Sequence, residues 1–244
     1  LAPSGQNVWK EMARQSARAI TAMEDQQLTT KDIVTDDAIH NAMVVHAAFG
    51  GSTNLLLHIP AIAHAAKCKT PSLEDWHRIN KETPRLVSVL PNGPTPHPTI
   101  RAFLAGGVPE VMLHLRNLGL LREHVMTVTG HTLQENLDWW EQSERRQKMK
   151  EKLKEADQIE ADEVIMSKEK AEARGLTSTV TFPTGNIAPE GAVIKSTSID
   201  ASRLDENQVY YHKSEAKVFT SEASAIEAIK TQQIKKGDIM ILTG

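Results

Sequence analysis

The texture of this chain changes at Leu176. Before it, apolar residues recur at three- and four-residue spacing; from Thr177 onward they fall in short β-type runs between prolines and glycines. The first pattern requires helices that each bury one stripe, and the second requires strands that alternate faces, so one uniform layer cannot serve both. A domain boundary is therefore expected near residue 175.

Within the first part, Val8, Trp9, Met12, Ala13, Ala17, Ile20 and Met23 mark one face of a helix from Asn7 to about Met23. A second helix is expected from Asp36 to Ala48, stopped by Gly50-Gly51. Ser52 is expected to cap a third, Thr53 to Ala66, apolar enough to be buried nearly all round, with Pro60 kinking its interior. Ser72 and Asp75 read as a capping box for a helix to about Asn80, and Arg85 to Leu90 as a strand. Four prolines between Pro91 and Thr99 force an extended, irregular connection. Helices are expected from Ile100 to Leu104, from about Pro109 to Asn117, and from Thr132, where Thr132 and Glu135 form a capping box; Val125 to Val128 reads as a strand. After the boundary the runs Ser178–Phe182, Gly191–Ser196, Val209–His212 and Lys217–Phe219 read as strands, Ser221–Lys230 as a helix, and the residues after Gly237 as a last strand.

The 244 residues carry 28 basic and 31 acidic side chains, a net charge of −3 that offers no global attraction for nucleic acid or anionic membrane. No run approaches the roughly 18 apolar residues of a membrane span. One cysteine, Cys68, cannot close an internal disulfide or hold an iron–sulfur cluster alone, which points to a cytoplasmic setting. The opening Ala2-Pro3-Ser4-Gly5 reads as a turn. The chain begins with Leu1 instead of Met and closes on a strand with no evident partner, so it is expected to be an internal stretch of a longer protein.

The sharpest chemical signal is Gly50-Gly51-Ser52-Thr53-Asn54. Two glycines permit close backbone approach, and three polar side chains at a helix N-terminus suit a carboxylate; helix capping with close packing is the competing account. The Gly-Lys-Ser/Thr of a phosphate loop is absent. Gly185 to Gly191 is a turn-rich loop at the boundary, where Asn186 and Glu190 could meet a ligand or merely stabilise a turn. The ten histidines contain no pair at four-residue helical spacing, so packed or surface roles are expected for them. Cys68 lies between Lys67 and Lys69, which could favour a thiolate. Eleven of the seventeen residues from Glu141 to Asp157 are charged with mixed sign, the pattern of a solvated helix with internal ion pairs more than of a docking helix; interspersed glutamates argue against nucleic acid at Lys148 to Lys154.

Four ordered blocks resemble the IlvD/Edd dehydratases: Gly50 to His64, Ala105 to Met112, Thr127 to Leu137 and Gly185 to Lys195. Val87 to Pro98 and Asn136 to Glu141 are more similar to the sugar-acid branch than to the branched-chain biosynthetic enzyme, with dihydroxy-acid dehydratase and 6-phosphogluconate dehydratase as the alternatives within the family. The resemblance implies an α/β fold in which residues 1–174 are the later, helix-rich part of a cofactor-housing domain and 175–244 the first part of a β-barrel-like C-terminal domain. It implies a hydro-lyase, homo-oligomeric when complete, that converts an aldonate such as D-xylonate to a 2-keto-3-deoxy acid with an iron–sulfur cluster and Mg2+. The cluster cysteines, the magnesium glutamate and the catalytic serine of that family match no position between Leu1 and Gly244, so no catalytic or metal residue is assigned here. Ser52, Thr53 and Asn54 remain as substrate contacts. A free-standing binding or assembly module is the reading from another class.

Overall fold

The computed structural model describes residues 5–243, so most of the turn expected at Ala2 to Gly5 lies outside the described residues. The chain divides into two compact units, 1–198 and 199–244. It is helix-rich with few strands.

The first unit opens with α1, Asn7–Asp25, which carries its apolar stripe as the spacing predicts but buries none of its residues. A short α2, Thr30–Ile33, is boxed by Thr29 and Asp32. Helix α3, Asp36–Phe49, starts where the Thr35 hydroxyl accepts the Ala38 N–H and stops at Gly50, whose φ of 67° and ψ of 49° are left-handed. Then come α4, Leu55–Ala65, and α5, Leu73–Glu82, the latter boxed by Ser72 and Asp75. The remaining helices are α6, Thr99–Leu104; α7, Gly107–Asn117; α8, Leu133–Gln142, boxed by Thr132 and Glu135; α9, Glu144–Asp157; and α10, Lys168–Ala173.

Helix α3 is the hub: it packs on α4, α5 and α7, while α7 touches α6 and α8, and α9 closes on α6 and α8. The core joins Met43, Val44 and Ala48 of α3 to Trp76, Ile79, Val111, Leu115, Leu137 and Leu153, with Leu86, Val87, Ile165 and Met166 between the helices. Each large aliphatic side chain so buried contributes about 1.5–3 kcal/mol before entropy is set against it.

Several expectations are corrected. Helix α4 is not buried all round: only Ile59 and Ala63, one turn apart, are buried, while Leu57 and Ile62 are exposed, because α3 covers a single stripe and nothing described covers the other side. The helix continues through Pro60, whose missing N–H withdraws one intrahelical bond. The run from Arg85 to Leu90 forms only the isolated bridges Val87 to Ile165 and Val89 to Asn92, and Val125 to Val128 only the bridge Met126 to Thr132. Between 178 and 196 the two expected strands meet through Thr181 and Ile194, which exchange both N–H to O bonds at 2.9 Å.

In the second unit, β1, Ala216–Phe219, and β2, Ile239–Leu242, lie parallel in register Ala216 to Ile239, joined by α11, Glu222–Lys230. Parallel strands need a crossover, and α11 supplies it. The strand expected at Val209 to His212 is reduced to one bridge, Leu204 to Tyr210.

Candidate functional site

Two glycines set the turn after α3 for different reasons. Gly50 takes the left-handed conformation that ends the helix. Gly51 is needed for space: a Cβ there would stand 2.5 Å from His46 Cδ2. The His46 ring, buried on α3, faces the Ser52 carbonyl with Nε2 at 3.0 Å and packs edge-on against Trp76. Burial lowers the His46 pKa more than the Ser52 bond raises it, so the ring is neutral and Nε2 donates.

Ser52, Thr53 and Asn54 are brought together as one exposed turn. Ser52 does not cap α4 as expected. The cap position is Asn54, in helical conformation and without a side-chain bond, while Ser52 Oγ accepts the Asn54 N–H at 3.3 Å. The chain winds up before the helix proper, and the carbonyls of Ser52, Thr53 and Asn54 take the N–H groups of Leu55, Leu56 and Leu57 at 3.0–3.1 Å. The amides of the first α4 turn are thus already paired. The donors that remain for an anion are the Ser52 and Thr53 N–H groups, the Thr53 hydroxyl and the Asn54 amide, none of which has a partner among the described residues.

Beside this turn lies a groove of about 630 Å³, walled by Val45 and Phe49 of α3, Gly51, Leu55 and Ile59, Val108 and Met112 of α7, and the 125–128 segment with Leu133. Three of the four sequence blocks meet there: Gly51 and Leu55 from the first, Val108 and Met112 from the second, Thr127 and Leu133 from the third. The third block is braced by Asn136, whose Nδ2 donates to Thr127 and Thr129 hydroxyls at 2.9 and 2.8 Å. The lining is almost wholly apolar, which suits a packing surface and not a polyhydroxy acid. The polar side chains in its wall are Asn41, His46 and Thr127, and Ser52–Asn54 sit between its lining residues Gly51 and Leu55 in sequence.

The fourth block does not join this groove. Asn186 and Glu190 are exposed, and neither side chain lines it or bonds to another described residue. Cys68 is no thiolate: burial and then nearby Asp36 push its pKa up, and Sγ donates to the Val34 carbonyl at 3.3 Å. Among the described residues no group of three or more His, Cys, Asp and Glu side chains could hold a metal ion. These residues therefore do not fit an iron–sulfur cluster or a magnesium site.

Two functional-looking features escaped the sequence reading. The charged helix α9 is docked internally by Glu110, buried on α7, which accepts from Arg146 and Lys150. Arg85, buried against Gly50, had a visible signal: an arginine heading the apolar run Leu86-Val87. That signal gives burial but no partner: one is the nearby Val87 carbonyl and the other the Thr177 carbonyl, 92 positions away.

The chain belongs to the dihydroxy-acid/6-phosphogluconate dehydratase family: residues 1–136 match its N-terminal model and 163–244 its C-terminal model. Among individual relatives it is 68% identical to the D-xylonate dehydratase YjhG of Escherichia coli K12 and 65% identical to YagF of the same organism, in each case over all 244 residues. It is 35% identical over 230 residues to a dihydroxy-acid dehydratase of Mycobacterium ulcerans, 94% of this chain and 36% of that protein. The chain spans 37% of the length of the two Escherichia coli relatives.

Proposed function

We propose that the native polypeptide carrying this chain is a hydro-lyase that converts an aldonate such as D-xylonate to a 2-keto-3-deoxy acid. The observation that carries this is the unbroken identity of 68% to a D-xylonate dehydratase, against 35% to a dihydroxy-acid dehydratase. The reaction removes the C2 proton and the C3 hydroxide as water, and the resulting enol tautomerises to the ketone. Ser52, Thr53 and Asn54 contribute uncompensated donors that suit the substrate carboxylate, whose charge the positive end of α4 also favours. Asn186 and Glu190 are weaker substrate candidates on the 185–191 loop.

The family likeness supports an iron–sulfur cluster and Mg2+ as cofactors, with ligands other than the residues described here. It also supports 1–174 as part of the cofactor-housing domain, 175–244 as the opening of a β-barrel-like domain, and a homo-oligomeric enzyme. No helix among the described residues is long and apolar enough to cross a membrane, and a hydro-lyase acting on a small-molecule acid fits the cytoplasm.

The test is turnover by the native polypeptide. Dehydration of D-xylonate with no turnover of 2,3-dihydroxyisovalerate is expected, and the opposite preference would refute the sugar-acid reading. Thr53→Val together with Asn54→Ala should raise KM for the aldonate about tenfold or more through the loss of two hydrogen bonds to a charged group.

A further inference from the structure

The turn that presents Ser52–Asn54 meets His46 at Gly51 and is gripped at Gly50 by residues distant in sequence. Arg85 is 4% exposed, with Nε donating to the Val87 carbonyl at 3.2 Å and Nη1 to the Thr177 carbonyl at 3.4 Å; Nη2 has no partner. Its charge is met by carbonyl oxygens and by the negative end of α3 at Gly50, without a carboxylate ion pair among the described residues. The guanidinium fills the space between two left-handed glycines. A Cβ on Gly50 would stand 3.1 Å from Nε and 2.9 Å from Thr179 Cγ2, and one on Gly93 would stand 3.1 Å from Nη2. Asn92, also buried, donates from Nδ2 to the Gly50 carbonyl at 3.3 Å and accepts at Oδ1 from the Thr197 hydroxyl at 2.8 Å.

Of the partners on the far side of this grip, Thr179 lies in the antiparallel pairing that runs through Thr181 and Ile194, Thr177 just before it, and Thr197 in the short 3-10 turn Ser196–Ser198 that follows it. That pair lies in the C-terminal family region, whereas Gly50 lies in the N-terminal one. We propose that Arg85 and Asn92 are positioning residues that key the Gly50–Gly51 turn, and with it Ser52–Asn54, to the 177–197 segment that carries this pair and the turn after it. A shift of that segment then changes how tightly the turn binds a substrate carboxylate without any of the clamp residues touching the substrate. The clamp rests on the geometry alone; its effect on binding rests on the proposed dehydratase site.

Thr197 is the cleanest point of attack, because Thr197→Val removes the hydroxyl and keeps the shape, and Thr197→Ser restores the donor. In the native polypeptide, hydrogen exchange at the hydrogen-bonded amides of the turn, Gly50, Gly51 and Asn54, should quicken about fivefold in Thr197→Val, the factor a typical neutral hydrogen bond is worth, and return toward wild type in Thr197→Ser. KM for D-xylonate should rise about fivefold in the valine variant while kcat stays within about twofold, again with rescue by serine. Unchanged exchange in the valine variant overturns the clamp. Quickened exchange with unchanged KM overturns its link to the substrate site. If the wild-type polypeptide does not turn over D-xylonate at all but exchange quickens and serine rescues it, the clamp stands and the dehydratase reading fails.

Discussion

Glu110 on α7 receives two hydrogen bonds from a single guanidinium, Arg146 Nε at 2.7 Å and Nη2 at 2.8 Å, across 36 positions of sequence. Lys150, one turn further along α9, adds a third contact at 2.7 Å to the same buried carboxylate. Burial alone would raise the Glu110 pKa, but the two cations outweigh it and hold the group ionised. A helix with no continuous apolar stripe is thereby fastened to the core through charge, with Leu153 its one buried residue.

Glu110→Ala should destabilise the chain by about 3 kcal/mol, since it strands two partly buried cations. Denaturant midpoints measure this, and a double-mutant cycle with Arg146→Ala should show coupling of at least about 1 kcal/mol. Strict additivity of the two substitutions would disprove the docking role.

Gly51→Ala should cost about 1–3 kcal/mol, because its Cβ would meet the His46 ring at 2.5 Å in a position with no room to shift. The conflict is with the ring and not with backbone strain, so the same substitution in a His46→Ala background should cost clearly less. Equal costs in both backgrounds would show that the turn itself, not the ring, rejects the side chain.

Acid should weaken the fold in two steps. His46 has a folded pKa below its ordinary 6.5, so its contribution is fully present above that value and declines as pH falls from about 6.5 toward the folded pKa. Asp75 is held down to about 2, first by the Ser72 backbone bond, and Glu110 is also lowered; their contributions are intact above the ordinary carboxylate range and disappear as pH falls from about 4 toward 2. Melting temperature against pH should therefore slope below 6.5, and His46→Gln, which still offers Ser52 a donor, should reduce the slope between pH 7 and 5 without abolishing it, because burial also lowers His40, His97 and His114.

The uncovered side of α4 should make residues 1–244, expressed alone, bind hydrophobic dye and self-associate. Leu57 is 72% exposed and Ile62 51% exposed, so Leu57→Glu with Ile62→Glu should lower dye binding and association while moving the unfolding midpoint little. Unaltered dye binding would place the sticky surface elsewhere.

Local order was well marked in the residues. The boxes at Ser72 and Thr132 and the glycine stop at Gly50 announced their helix ends, because caps act within one turn and need only neighbours in sequence. The polar trio Ser52–Asn54 was visible for the same reason. The pairing of its amides was not: whether Ser52 caps α4 or bends back onto Asn54 depends on where His46 and Gly51 leave the turn.

Burial was the least legible property. The composition of α4 is that of a core helix, and its sequence cannot say that α3 reaches only Ile59 and Ala63. Short apolar runs such as Val125 to Val128 looked like strands because pattern records alternation and not the presence of a partner. By itself, then, the sequence determined most of the helices, the caps at Ser72 and Thr132, the two-glycine turn and the family, all of which rest on neighbouring residues or on ordered motifs. Only the tertiary structure decided that Glu110 anchors the charged helix, that three motif blocks share one apolar groove, and that Arg85 and Asn92 hold the turn to the 177–197 segment. Those are contacts between residues tens of positions apart, and their energy depends on distance and burial that no local pattern encodes.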